Sequence, residues 1–95
     1  MIYELEIKEE ADFEITEGYL YYERKRIGLG EEFLECIEYY LQRICENPKY
    51  FQIKKKNYRE AYIRRFPYLI IYEIEENAII VYSVFNTPQN PEKKP

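Results

Sequence analysis

Histidine is missing from this chain of 95 residues, and with it the only side chain whose ordinary pKa lies near neutrality. Any proton transfer would fall to Lys, Tyr or a carboxylate, each needing a strong shift or compensation by position. Cysteine is scarce: Cys36 and Cys45 are the only two. Placed on one helix, they stand about 180° apart around the axis and about 13 Å apart along it, too far for a disulfide. They are expected to be reduced, as in a cytosolic protein. Without histidine, and with its cysteines on opposite sides of a helix, the sequence offers no transition-metal constellation and no cofactor site. No apolar run approaches the roughly 18 residues that span a bilayer, and no signal peptide is expected ahead of the first strand. The expected compartment is the cytoplasm, with no membrane contact.

Positive charge is also missing from half of the chain. Residues 1–48 hold 5 Lys and Arg against 13 Asp and Glu, whereas residues 49–95 hold 9 against 5, so a formal charge of −4 hides halves of −8 and +4. This charge balance disfavours a surface that grips nucleic acid throughout but leaves room for a local basic site. What the chain does have is apolar residues, 46% of the total, enough for one core. A single domain over residues 1–88 is expected, with a flexible proline-rich tail over 89–95.

In chain order, Ile2 to Ile7 alternates, with Tyr3, Leu5 and Ile7 on one face and Glu4 and Glu6 on the other, as in a half-buried strand. A helix is expected from about Glu9, its acidic first turn suited to the positive end of the helix dipole. Its core stripe is Ala11, Ile15, Gly18, Tyr19 and Tyr22. Phe13 and Leu20 lie on nearly the opposite side, near Tyr21. They either tuck under a loop or form an apolar patch for a partner. After Ile27-Gly28-Leu29-Gly30, a second helix runs to about Asn47 with Phe33, Leu34, Ile37, Tyr40, Leu41 and Ile44 on its apolar face. So short a connection makes a helical hairpin. Residues 49–57 read as a link in which Tyr50 and Phe51 dock on the core and Lys54, Lys55 and Lys56 face solvent.

From Tyr58 to Asn86 the chain is rich in Ile, Val, Tyr and Phe, the composition of a three-stranded antiparallel meander. Pro67 marks the first corner and Glu76-Asn77 the second, Asn tolerating positive φ. Strict alternation puts Ile79, Val81 and Phe85 on one face of the last strand and Ile80, Tyr82 and Val84 on the other. Two apolar faces demand two covers. The hairpin is one, and a copy of this chain or a different partner is expected to be the other. Lys54, Lys56, Arg59, Arg64 and Arg65, with Tyr68 and Tyr72, are the candidate contacts to a target or partner, the basic groups converging on an anion such as a phosphodiester. The alternative is that the arginines block edge pairing and the tyrosines are core.

With its β-α-α-β-β-β order, GLGEEFLE over Gly28 to Glu35, ENP over Glu46 to Pro48 and RRFPYLIIYEI over Arg64 to Ile74, the chain resembles the RelE/ParE superfamily of toxins from bacterial type II toxin–antitoxin modules, on its ParE side. The resemblance implies an α+β fold of two layers, an antiparallel sheet packed on a helical hairpin. It also implies growth inhibition, a role in plasmid stabilization and a cognate antitoxin wrapped over the toxin. RelE-like members cleave mRNA on the ribosome, and ParE-like members poison DNA gyrase. Cleavage needs a base, an acid and cations for the charged transition state. Where RelE-like enzymes carry an arginine and a tyrosine after the last strand, this chain has Asn86-Thr87-Pro88-Gln89-Asn90-Pro91, so the catalytic set is incomplete and gyrase is the favoured target. A protein of this fold that only binds a partner is the third reading.

Overall fold

The computed structural model describes residues 3–87; Ile2 and the tail over 89–95 lie outside the described residues. In chain order the elements are β1 (Glu4–Ile7), α1 (Glu9–Lys25), α2 (Leu29–Glu46), a 3-10 turn (Pro48–Tyr50), β2 (Ile53–Lys55), β3 (Tyr58–Tyr62), β4 (Tyr68–Glu75) and β5 (Ala78–Asn86). The strands form one sheet in the order β1-β5-β4-β3-β2. It is an α+β fold, and the sheet is mixed, not purely antiparallel: β1 runs parallel to β5, with Glu4 opposite Ala78 and Ile7 opposite Val81. The lysine-bearing link is not all loop. Ile53–Lys55 pairs with β3 as an edge strand, too short at three residues to show a period in sequence.

The hairpin is held by close approach. Gly28 takes φ +93° at the turn, a conformation L side chains rarely adopt. Glu23 of α1 caps α2: its carboxylate accepts the Gly28 and Gly30 N–H groups, both at 3.0 Å, satisfying donors that a helix start leaves unpaired. One helical turn further in, a Cβ on Gly18 would stand 2.7 Å from the Phe33 ring. Phe33 is fully buried and stacks with Tyr22, Phe66 and Tyr68 at centroid distances of 5.3, 5.3 and 4.9 Å. Burial pushes the Tyr22 phenol up to about 12.

The main core joins this hairpin to one sheet face through Ala61, Ile63, Ile70, Tyr72, Ile79, Val81 and Val84. Strict alternation along β5 fails at Tyr82. Tyr72 lies opposite Val81 but Ile71 lies opposite Ser83, so Tyr82 is an extra residue, a bulge that swaps the faces of all that follow. Val84 therefore joins the main core and Phe85 the second face, with Leu69 and Ile71. That second face is not open: Leu69, Ile71 and Phe85 are buried, with Tyr58 packed on them. The expectation that the sheet needs a partner to cover it is thereby corrected. At the second corner it is Glu76, φ +56°, that takes the left-handed conformation, not Asn77. β1 is an edge strand exposed along its length, not a half-buried one.

Candidate partner-binding surfaces

The basic candidates do not converge. Lys54 lies on β2, and Lys56, φ +55°, sits in the β2–β3 turn; Arg64 and Arg65 follow the other end of β3. At about 3.3 Å per residue the two groups are on the order of 20 Å apart. Arg59 is turned inward, its guanidinium donating to the Phe51 carbonyl at 2.7 Å and the Lys49 carbonyl at 3.4 Å, where it ties the 3-10 turn to β3. Arg65 donates to Glu32, which also pairs with Arg26 at 3.6 Å. The Arg65 hydrogen bond holds the Glu32 carboxyl below its usual range. The Arg64 N–H donates to the Tyr40 hydroxyl at 3.4 Å. Cations placed in this way do not gather around a single phosphodiester.

Tyr68 and Tyr72 are core residues, 6% and 0% exposed. The Tyr72 hydroxyl donates to the Pro48 carbonyl at 2.5 Å. Neither ring is offered to a partner, so these two candidates are corrected to structural roles. Tyr50, expected on the core, is 66% exposed, while Phe51 does pack against the core. Both cysteines are free, and burial pushes both thiols up, away from the reactive thiolate.

Two apolar side chains of α1 face outward. Phe13 is 63% exposed and Leu20 41%, and seven residues bring them to nearly the same helical face. Tyr21 borders them, with the Lys25 ammonium 5.0 Å from its ring centroid. No loop among the described residues covers them. Their outward aim follows from what holds the opposite side. Ala11 and Gly18 are buried, and the Glu14 carboxylate accepts both the Ser83 hydroxyl and the Val84 N–H at 2.8 Å. β1 covers β5 only as far as Val81, so Glu14 satisfies the sheet edge where β1 stops.

Glu14 carries a cost, because burial raises its pKa more than its two hydrogen bonds lower it. A carboxyl whose folded pKa lies above its unfolded one is less favourable to the fold once both states are ionised. Its contribution is therefore best below the unfolded pKa and declines as pH rises through the folded one. Glu14→Gln keeps an accepting oxygen, so it is expected to hold or raise stability at pH 7 and to remove this slope. Glu14→Leu strands two donors and is expected to lose about 1–3 kcal/mol. Urea denaturation of both variants from pH 4 to 8 checks the pair; a Gln variant as unstable as the Leu variant would refute the account.

With these surfaces in place, the chain can be set against known proteins. The model of the ParE toxin of type II toxin–antitoxin systems, parDE, matches residues 5–91. The chain belongs to the ParE toxin family. A chain of the chromosomal ParDE toxin–antitoxin system from P. aeruginosa superposes with a TM-score of 0.74, covering 90% of this chain and 96% of that one at 12% identity, a likeness of fold. No curated protein sequence gives a significant match. This ParE-family member is thus a type II toxin–antitoxin toxin by family. Among its described residues no helix is long and apolar enough to cross a membrane.

One surface escaped sequence reasoning. Tyr39, Tyr50, Ile53 and Tyr62 are all more than half exposed, around the end of α2, the 3-10 turn and β2. The signal was present: Tyr39 and Arg43 stand four apart, off the apolar stripe of α2. Tyr50 hid it, because an aromatic residue beside Phe51 reads as core.

Proposed function

We infer that this chain is the growth-inhibiting toxin of a two-gene module, acting in the cytoplasm on DNA gyrase, and that a cognate antitoxin neutralises it by covering the outer face of α1. Membership of the ParE family supports the toxin role. The observation that carries the antitoxin seat is the Phe13–Leu20 stripe, with Phe13 63% exposed on a helix whose other side is fixed by Glu14 and the core. A large apolar side chain held outward on a rigid helix gains a couple of kcal/mol when a partner buries it. An amphipathic partner segment laid along α1 would do so. The scattered cations favour a binding poison over an RNA-cleaving enzyme.

Induced expression in a bacterial host, alone and beside the adjacent small reading frame, tests the whole reading. The expected result is growth arrest, rescue by the neighbour, altered plasmid supercoiling and intact transcripts. Intact supercoiling with cut mRNA would replace gyrase by the ribosome, and growth without arrest by a folded protein would refute the toxin assignment. If folded Arg64→Ala and Arg65→Ala proteins arrest growth as the parent does, those arginines take no part in the target contact.

A further inference from the structure

The surface that sequence reasoning missed is built around one cation. Arg43 is the only basic residue of α2, which carries five glutamates. Its guanidinium lies 5.9 Å from the Tyr39 ring centroid and 6.0 Å from that of Tyr50, and it donates to the Tyr39 hydroxyl at 3.3 Å. No carboxylate pairs with it: the ion pairs among the described residues are Lys8–Glu6, Arg26–Glu32 and Arg65–Glu32. The nearby Glu46 instead accepts from Gln42 at 3.4 Å. Arg43 is thus a charge without a counter-charge, held in place by two exposed rings.

Beside it opens a cleft of about 410 Å³ between α2 and the 3-10 turn, with Phe51 and Tyr50 in its wall. Tyr50 and Phe51 also border a second depression of about 430 Å³ that reaches Lys54 and Tyr62 on the outer strands. Tyr and Arg are the residues that dominate protein interfaces. A ring-stacked guanidinium is weakly hydrated and presents a preorganised fork that fits a carboxylate. A phosphate chain is a poor occupant: each depression offers a single cation, and holding a nucleic-acid backbone takes several.

We propose that this cleft docks an acidic, extended segment of a second protein, one carboxylate seated on the Arg43 fork and an adjacent apolar side chain against Tyr50 and Phe51. It lies by the β2 edge of the sheet, whereas β1, the strand that leads into α1, forms the opposite edge. Four strand spacings of about 4.8 Å put roughly 19 Å between those edges. The cleft shares no lining residue with the antitoxin seat inferred on α1. The cleft's chemistry is independent of what the toxin attacks.

The test uses a fluorescein-labelled dodecapeptide with an Asp-Phe pair at its centre and Gly-Ser flanks, its Asn-Phe analogue, and an oligothymidine strand of the same length. Anisotropy reads affinity, and amide shift mapping of the full chain reads location. The Asp-Phe peptide is expected to bind about tenfold tighter than the Asn-Phe peptide, as a charge-assisted hydrogen bond would give. The shifts should centre on Tyr39, Arg43, Tyr50 and Phe51. Arg43→Gln should erase the Asp-over-Asn preference, Arg43→Lys should restore only part of it, and Phe13→Gln with Leu20→Gln should leave it unchanged. The substituted positions, Arg43, Phe13 and Leu20, are exposed, so circular dichroism is expected to report the parent fold. Equal affinity for the two peptides, tighter binding of the oligothymidine, shifts centred on α1, or no binding up to about 1 mM would each overturn the proposal.

Discussion

Phe13→Gln combined with Leu20→Gln is expected to leave a folded chain that still arrests growth but is no longer rescued by its antitoxin. Both side chains point to solvent, at 63% and 41% exposure, so the fold loses little when they become polar. Gln is also a good helix former. A partner that covers them loses two apolar anchors. Truncating one central anchor of an interface typically costs about 2–4 kcal/mol, and two put the loss at a hundredfold or more in Kd. Calorimetric titration with purified antitoxin, together with the growth assay, measures it. Unchanged affinity would remove α1 as the seat while leaving the toxin assignment standing. Loss of arrest along with loss of rescue would mean that the same face meets the target.

The largest effect on stability is expected at Phe33. Its ring is fully buried, faces Gly18 across the hairpin, and meets Tyr22, Phe66 and Tyr68, so it joins both helices to the first corner of the meander. Phe33→Ala is expected to cost about 3–5 kcal/mol, a large share of the roughly 5–15 kcal/mol available to a domain. The melting temperature should fall by on the order of 15–30 °C. The Gly18 contact gives a sharper check. A Cβ at Gly18 would sit 2.7 Å from two Phe33 ring carbons and 3.1 Å from the Tyr68 hydroxyl, so Gly18→Ala alone is expected to destabilise by about 1–3 kcal/mol. In a Phe33→Leu background the ring is gone and the same change should be nearly neutral. Thermal denaturation of the four proteins gives the coupling, and additive losses would show that the two residues do not share the space.

The helices were legible because their signals are local and repeated. The stripe Ala11, Ile15, Gly18, Tyr19, Tyr22 and the face running from Phe33 to Ile44 recur at helical spacing over about three turns each, and the structure buries or packs most of both. Phe13 and Leu20 were legible as an off-stripe pair. Whether a loop covered them was not, because that depends on segments distant in sequence. β2 was invisible for the opposite reason: three exposed residues, Ile53–Lys55, have no face to bury and hence no period. The convergence of the basic groups failed because sequence proximity ignores direction. Lys56 and Arg64 are eight apart in the chain, yet the whole of β3 separates them.

By itself, then, the sequence determined the order of the two helices and the four longer strands, the hairpin with its glycine turn, the acidic helices and the family resemblance of its motifs. Each is a property of adjacent residues, or of a period short enough to repeat. Only the tertiary structure decided the rest. β1 lies parallel to β5, and a single bulged residue, Tyr82, sends Phe85 to the face that strict alternation would deny it. Tyr68 and Tyr72 belong to the core, and Arg43 stands unpaired between two tyrosine rings. Each of those facts is a pairing between distant segments. One inserted residue in a strand reverses every side chain beyond it, and a cation's role depends on which carboxylates the fold brings within reach.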